Sequence, residues 1–238
     1  MTAAMPWGSP PAPDRVAGLI DHTLLKPEAT PADIDRLCDE AASARFFSVC
    51  VNPVYVRHAS ARLGQAPVVV CAVVGFPLGA QVSAIKAIEA RRAIEDGAGE
   101  IDMVIHVGAL RAGQSGAVRD DIAAVVDVCR RGGARCKVIL ENALLDGELI
   151  VAGCRAAVEA GADFVKTSTG FGPGGARAED VTLMARTVRA AGLGVKAAGG
   201  IRTLAAVEQM VVAGATRIGT SSGLRILEEA RGGAAPSR

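Results

Sequence analysis

Two lysines and one aspartate stand where they could do chemistry: Asp102 in Ile101-Asp-Met-Val-Ile105, Lys166 in Phe164-Val-Lys166, and Lys196 in Gly194-Val-Lys-Ala197. Each sits in a short apolar run of the kind that forms a buried strand. Side chains alternate along a strand, so Ile101, Met103 and Ile105 share one face, and Asp102, Val104 and His106 share the other. By the same rule Lys166 lies on the face of Phe164, and Lys196 points away from Val195. Where two such strands adjoin, about 4.8 Å apart, the two ammonium groups repel and one pKa falls. A free lysine, with a pKa near 10.4, is only about 0.1% neutral at physiological pH, and a drop of roughly 3 units raises the reactive fraction several hundredfold. A neutral amine so prepared condenses with a carbonyl. The protonated imine then acts as an electron sink, and a carbon–carbon bond beta to it can break. Asp102 is the candidate for moving protons, with Lys196 polarising or relaying. The residues alone leave open which lysine is the neutral one.

These groups need elements that bring them together. Strands are predicted near Leu19–Asp21, Phe47–Val51, Val68–Val74, Glu100–Ile105, Lys137–Glu141, Phe164–Lys166, Gly194–Ala197 and Arg217–Gly219. Amphipathic helical runs separate them, among them Pro31–Ala44, Val82–Asp96, Gly116–Arg131 and Ala178–Ala191. Thr30-Pro-Ala-Asp33 supplies a cap, a proline at the first helical position and an acid at the third. Gly97, Gly132, Gly161 and Gly192 stand where the helices should stop. Ala160–Val165 and Ala213–Ile218 read as one helix–strand junction used twice. Eight alternations without a break in composition predict an α/β protein, a single-domain (β/α)8 barrel over residues 14–230. A doubly wound open sheet is the alternative. Residues 1–13 are expected to form a disordered Pro-rich head and 231–238 a flexible tail.

In either architecture ligands bind at the carboxyl ends of the strands. The polar groups expected there are Asp21, Cys50, Asp102, Glu141, Lys166 and Lys196, followed by Gly199-Gly200 and Gly219-Thr-Ser-Ser222. Backbone N–H groups and hydroxyls after the last two strands are where barrels hold phosphate, and that is the reading of the second constellation. Gly170-Phe-Gly-Pro-Gly-Gly175 matches G-x-G-x-x-G in form. The next strand, however, ends at a lysine where a dinucleotide site wants an acid, and Pro173 removes a backbone donor. The run is therefore expected to be a mobile loop over the site.

Composition narrows the partners. With 26 basic and 25 acidic residues, a net charge of +1 and 3% aromatics, the chain shows neither a polyanion-binding field nor base-stacking platforms, so nucleic acid is not expected. Six cysteines without a C-x-x-C pair and three dispersed histidines give no zinc-ligand spacing. The thiols read as reduced packing residues of a cytoplasmic protein. Ala66–Ile85 carries no charge, but its glycines, Pro77 and Val-rich first half predict a buried strand and loop, with no membrane span.

Six segments, in order from about Val16 to Leu227, together resemble deoxyribose-phosphate aldolase: Ile20-Asp-His-Thr-Leu-Leu25, Val74-Gly-Phe-Pro-Leu-Gly79, Glu100-Ile-Asp-Met-Val104, Val165-Lys-Thr-Ser-Thr-Gly170, Lys196-Ala-Ala-Gly-Gly-Ile-Arg-Thr203 and Arg217-Ile-Gly-Thr-Ser-Ser-Gly223. The resemblance implies reversible cleavage of 2-deoxy-D-ribose 5-phosphate to acetaldehyde and D-glyceraldehyde 3-phosphate, without metal or cofactor. It implies that Lys166 carries the Schiff base and that Asp102 and Lys196 handle protons. Gly200, Ser221 and Ser222, with Gly199 and Gly219 beside them, would hold the phosphate. Asp21 and Thr169 would line the substrate channel, and Cys50 would lie near it. The chain departs from the family pattern at His106, where Asn is usual, at Glu141-Asn142, at Ala198, and in lacking a C-terminal Tyr. The remaining partner expected is a second copy of the chain, as a homodimer.

Overall fold

The computed structural model describes residues 12–232; most of the expected head and tail, residues 1–11 and 233–238, lies outside the described residues. Pro13 opens a short helix, Pro13–Ala17. Eight strands follow: β1 (Ile20–Leu24), β2 (Ser48–Val51), β3 (Val69–Val74), β4 (Glu100–Val104), β5 (Arg135–Ile139), β6 (Phe164–Lys166), β7 (Gly194–Ala198) and β8 (Arg217–Thr220). All pair in parallel with their sequence neighbours, and β8 returns to pair with β1. The sheet is therefore a closed barrel and not the open alternative.

Local chemistry accounts for the elements. Thr30 caps the helix Pro31–Ala44: its hydroxyl accepts from the Asp33 N–H and the Asp33 carboxylate accepts from the Thr30 N–H, a reciprocal pair that satisfies two otherwise orphaned donors. The two helix–strand junctions of similar sequence also have one geometry. Ala162 N donates to Ala157 O and Ala215 N to Met210 O, around Gly161 and Gly214 at φ 77° and 111°, which only glycine adopts freely. Prediction and structure differ at β5, expected at Lys137–Glu141 but found two residues earlier. Glu141 adopts a left-handed backbone, φ 58°, which ends the strand before it.

Two cores result. Outward-facing strand residues such as Val49, Ala72, Met103, Val138 and Ile218 pack on helix residues such as Ile34, Ile122 and Met184. Burying each such side chain contributes about 1.5–3 kcal/mol. Inside the barrel the apolar filling is small (Leu25, Cys50, Cys71 and Val73) and the rest is charged. Residues 66–85 form β3 and a loop that ends at the helix Ser83–Glu95, and among the described residues no helix is long and apolar enough to cross a membrane. All six cysteines are free and buried.

Candidate active site

β4, β5, β6 and β7 are consecutive in the barrel, and their register sets Asp102 beside Lys137 and Lys166 beside Lys196. All four side chains are buried in the interior. Asp102 is the hub. Its Oδ2 accepts from Lys166 Nζ at 2.7 Å and from Lys196 Nζ at 2.8 Å. Its Oδ1 accepts from Lys137 Nζ at 2.7 Å and from the Cys71 thiol at 3.2 Å. Around this hub Lys196 also contacts Asp21 at 2.5 Å, Lys137 contacts Glu100 at 2.7 Å, and Arg217 bridges Asp21 and Glu100 at 2.8 and 3.0 Å. Phe47 lies under the Arg217 guanidinium at 3.4 Å and braces it.

The electrostatics follow from these distances. Burial raises the Asp102 carboxyl, but Lys137, Lys166 and Lys196 outweigh it and hold the group well below the carboxylate range. Burial draws the Lys196 ammonium down, but Asp102 and Asp21 together outweigh it and hold Lys196 above its ordinary value. Lys137 is held high in the same way by Asp102 and its neighbours. The expected repulsion between lysines therefore does not depress Lys196, because Asp102 and Asp21 outweigh both burial and the charge of Lys137. Counting charges, Lys137, Lys166, Lys196 and Arg217 face Asp21, Glu100 and Asp102: four cations against three anions. Removing one proton balances the cluster. Lys166 is the lysine of the three that borders the cavity.

That cavity, of about 360 Å³, opens at the carboxyl ends of β1, β6, β7 and β8. Of the residues expected at the substrate, Thr169, Gly199, Gly200, Gly219 and Ser221 line it with Lys166. Ser222 is outside the lining; its N–H donates to Thr220 Oγ1 at the start of the helix Gly223–Ala230. Asp21 does not line the channel either. It is fully buried, committed to Lys196 and Arg217, because its register partner Gly219 leaves that space to longer side chains from β7 and β8. Cys50 is likewise sealed in the small interior core, within 4.8 Å of Cys71 and Asp102. His106 departs from its expected interior position: β4 ends before it, the ring is exposed, and Nδ1 accepts from Ala109 N to cap a short helix.

The loop Gly170–Gly175, expected to be mobile over the site, contributes Gly170 and Phe171 to the cavity wall and is pinned at both ends. Thr169 Oγ1 donates to the buried Glu141 carboxylate and accepts from Phe171 N at 3.0 Å, and Ala176 N donates to Gly199 O at 3.0 Å. A Cβ on Gly175 would stand 2.3 Å from Gly199 O, so this glycine is required by close approach. Lys137, Glu100 and Arg217 were missed as site residues, and Glu141 was noticed only for its position. Alternation along β5 was the available signal for Lys137: it shares a face with Ile139 and is the register partner of Asp102. One set of thiols and carboxylates among the described residues is close enough to share a metal ion, Cys50, Cys71 and Asp102. Asp102 is already shared by three lysines, and burial pushes the Cys71 thiol well above its usual range, so this donor set opposes a cation.

A family model described as DeoC/LacD family aldolase matches residues 15–229. The chain is 55% identical to the deoxyribose-phosphate aldolase of Geobacillus sp. over 90% of its length and 96% of that protein's. It is also 55% identical to the deoxyribose-phosphate aldolase of Thermococcus gammatolerans, over 91% and 96% of the two chains. The tetrameric structure of deoxyribose phosphate aldolase from Aeropyrum pernix superposes with a TM-score of 0.87 at 37% identity, over 92% of each chain. The matched residues include all eight strands and the whole Asp102 cluster, and the chain therefore belongs to the DeoC/LacD family of aldolases.

Proposed function

We propose that this chain is a class I deoxyribose-phosphate aldolase, which reversibly cleaves 2-deoxy-D-ribose 5-phosphate to D-glyceraldehyde 3-phosphate and acetaldehyde. The observation that carries this reading is the set of three lysines on one aspartate, of which Lys166 borders the cavity. In this reading neutral Lys166 Nζ adds to C1 of the open-chain sugar, and loss of water gives a protonated imine. A base removes the proton of the C3 hydroxyl, the C2–C3 bond breaks, and its electron pair moves through C2 and C1 to the imine nitrogen. Glyceraldehyde 3-phosphate leaves, the enamine takes a proton at C2, and water releases acetaldehyde from the lysine. Asp102 is the group proposed to take and return these protons, with Lys196 as its relay on the same carboxylate oxygen. Gly200, Ser221 and Ser222 are proposed to receive the phosphate, supported by their place after β7 and β8. Asp21 is reassigned from substrate contact to keeping Lys196 charged, and Thr169, on the cavity wall, also fixes the loop beside the site. In the same reading residues 14–230 are the catalytic unit and the compartment is the reducing cytoplasm.

Self-association as a homodimer is part of the proposal. Leu78 and Val82 before the helix Ser83–Glu95, and Ile85 and Ile88 in its first two turns, are exposed apolar side chains, which a second copy would cover. Sedimentation should give a mass of two chains, and Ile85→Glu should return it to one. The reaction is tested by borohydride reduction in the presence of acetaldehyde or deoxyribose 5-phosphate, followed by peptide mass mapping. The expected adduct is on Lys166; an adduct on Lys196 would exchange the two roles, and none at all on folded, ligand-bound protein would end the Schiff-base reading.

A further inference from the structure

Arg217 is the one cation of the buried cluster that cannot release a proton, since a guanidinium stays charged in a protein. It opens β8, is 3% exposed, and does not border the cavity. Its Nη1 donates to Asp21 at 2.8 Å and to Glu100 at 3.0 Å, and the rings of Phe47 and Phe164 lie 3.4 and 5.4 Å from the guanidinium carbon. Two carboxylates and two rings hold this planar cation in place. Asp21 is in turn the second carboxylate of Lys196, at 2.5 Å, and Glu100 that of Lys137, at 2.7 Å. Lys166 pairs with Asp102 alone among the described ion pairs. We propose that Arg217 is a positioning residue for the reaction: a fixed charge at the base of the barrel that places the proton deficit of the cluster on the lysines, and among them on Lys166.

The direction of the effect follows from charge. With Arg217 present, four cations face three anions, and loss of one proton brings the cluster to neutrality. The proton leaves most easily from the lysine with one carboxylate, because Lys137 and Lys196 each lose two ion pairs on becoming neutral. Without Arg217, three ammonium groups match Asp21, Glu100 and Asp102, and a neutral Lys166 leaves a buried negative charge uncompensated. The other titratable groups turned into the barrel are the thiols of Cys50 on β2 and Cys71 on β3. Burial pushes Cys71 well above its usual range, so it stays a neutral donor to Asp102. Cys50 is drawn down by the neighbouring Cys71 thiol and is the one other interior group placed to release the proton. Around the cavity, Glu141 is bonded to Thr169, and Lys26 and Arg202 are exposed.

The part Lys166 plays in bond cleavage rests on the aldolase reading above, but the charge balance does not, and reductive alkylation reads it without cleavage. Wild type and variants are treated with acetaldehyde and cyanoborohydride across a pH series, and alkylation of Lys166 is followed by peptide mass mapping. Arg217→Met should move the midpoint of that profile up by about one pH unit, the effect of one charge acting through the interior, or about tenfold in rate on the acid side. Glu100→Gln, which keeps the shape of the side chain, should move it down by a similar amount. The double variant again has one surplus cation and should return to the wild-type midpoint, and Arg217→Lys should stay there. An unmoved midpoint in folded Arg217→Met or Glu100→Gln, or a double variant that does not return, would overturn the proposal. Cys50→Ser alone should leave the midpoint in place; a fall of a full unit would assign the deficit to the thiol and overturn it as well. If the midpoints move as expected but wild type does not cleave deoxyribose 5-phosphate, the aldolase reading fails and the role of Arg217 stands.

Discussion

Lys86 and Lys166 are both buried lysines hydrogen-bonded to an aspartate, and their partners are arranged in opposite ways. Lys86, on the helix Ser83–Glu95, meets Asp121 of the neighbouring helix at 2.6 Å and the Val104 carbonyl at 2.9 Å. No other cation claims Asp121 among the described ion pairs. Lys166 instead shares a single oxygen of Asp102 with Lys196, while Lys137 holds the other oxygen. A private pair fixes two helices to each other. A shared acceptor leaves one amine in excess beside a cavity, which is the condition for a nucleophile. Burial alone therefore does not distinguish the two lysines; the stoichiometry of their partners does.

Three experiments bear on that contrast. Asp102→Asn should have the largest effect, lowering kcat by about 10²- to 10⁴-fold, the range for losing a general acid–base group. Measured against it, borohydride trapping on Lys166 shows whether imine formation or the later proton transfers are lost. Lys86→Met should act on the fold instead. It leaves Asp121 buried without its partner and should cost about 3–5 kcal/mol in denaturant titration, while kcat of the folded fraction stays within about threefold. The double change Lys86→Met/Asp121→Leu should recover most of that stability, since a buried pair replaced by apolar groups is often neutral. Retention of the loss in the double variant would mean that Lys86 holds more than Asp121.

The smallest effect is in the pH dependence of stability. Asp102 and Asp21 have folded pKa values below their unfolded ones, so their contribution is present above about pH 3.9 and is lost as pH falls through the folded values. Lys137 and Lys196 are raised, so theirs is present below about pH 10.4 and is lost as pH rises through the folded values. The denaturation midpoint attributable to the cluster should be level between those limits. Its acid decline should be shallower in Asp102→Asn, and an unchanged acid limb in that variant would place the loss elsewhere.

Much of this site was legible before any fold was known. Strand alternation put Asp102, Lys166 and Lys196 on interior faces, and all three are there. The same rule applied to β5 reaches Lys137, but a lysine at the head of a short apolar run reads as the solvent-facing start of a strand. Barrel stagger carries it inward instead, level with Asp102 and Phe164. Arg217 and Glu100 were hidden for the same reason, both standing at first strand positions. His106 failed in the other direction: alternation continued past the point where β4 ends and the backbone turns into a helix.

What the sequence determined by itself was local and periodic: eight strand runs, the Thr30 cap, the glycine stops, and which face each charged residue takes, because these depend on neighbours a few residues away. Tertiary structure alone decided the closure of β8 on β1, the sharing of one carboxylate by three lysines, and the choice of Lys166 as the amine at the cavity. Those depend on register and stagger between residues as far apart as Asp102 and Lys196, 94 positions, and Asp21 and Arg217, 196 positions, and no local period encodes such distances.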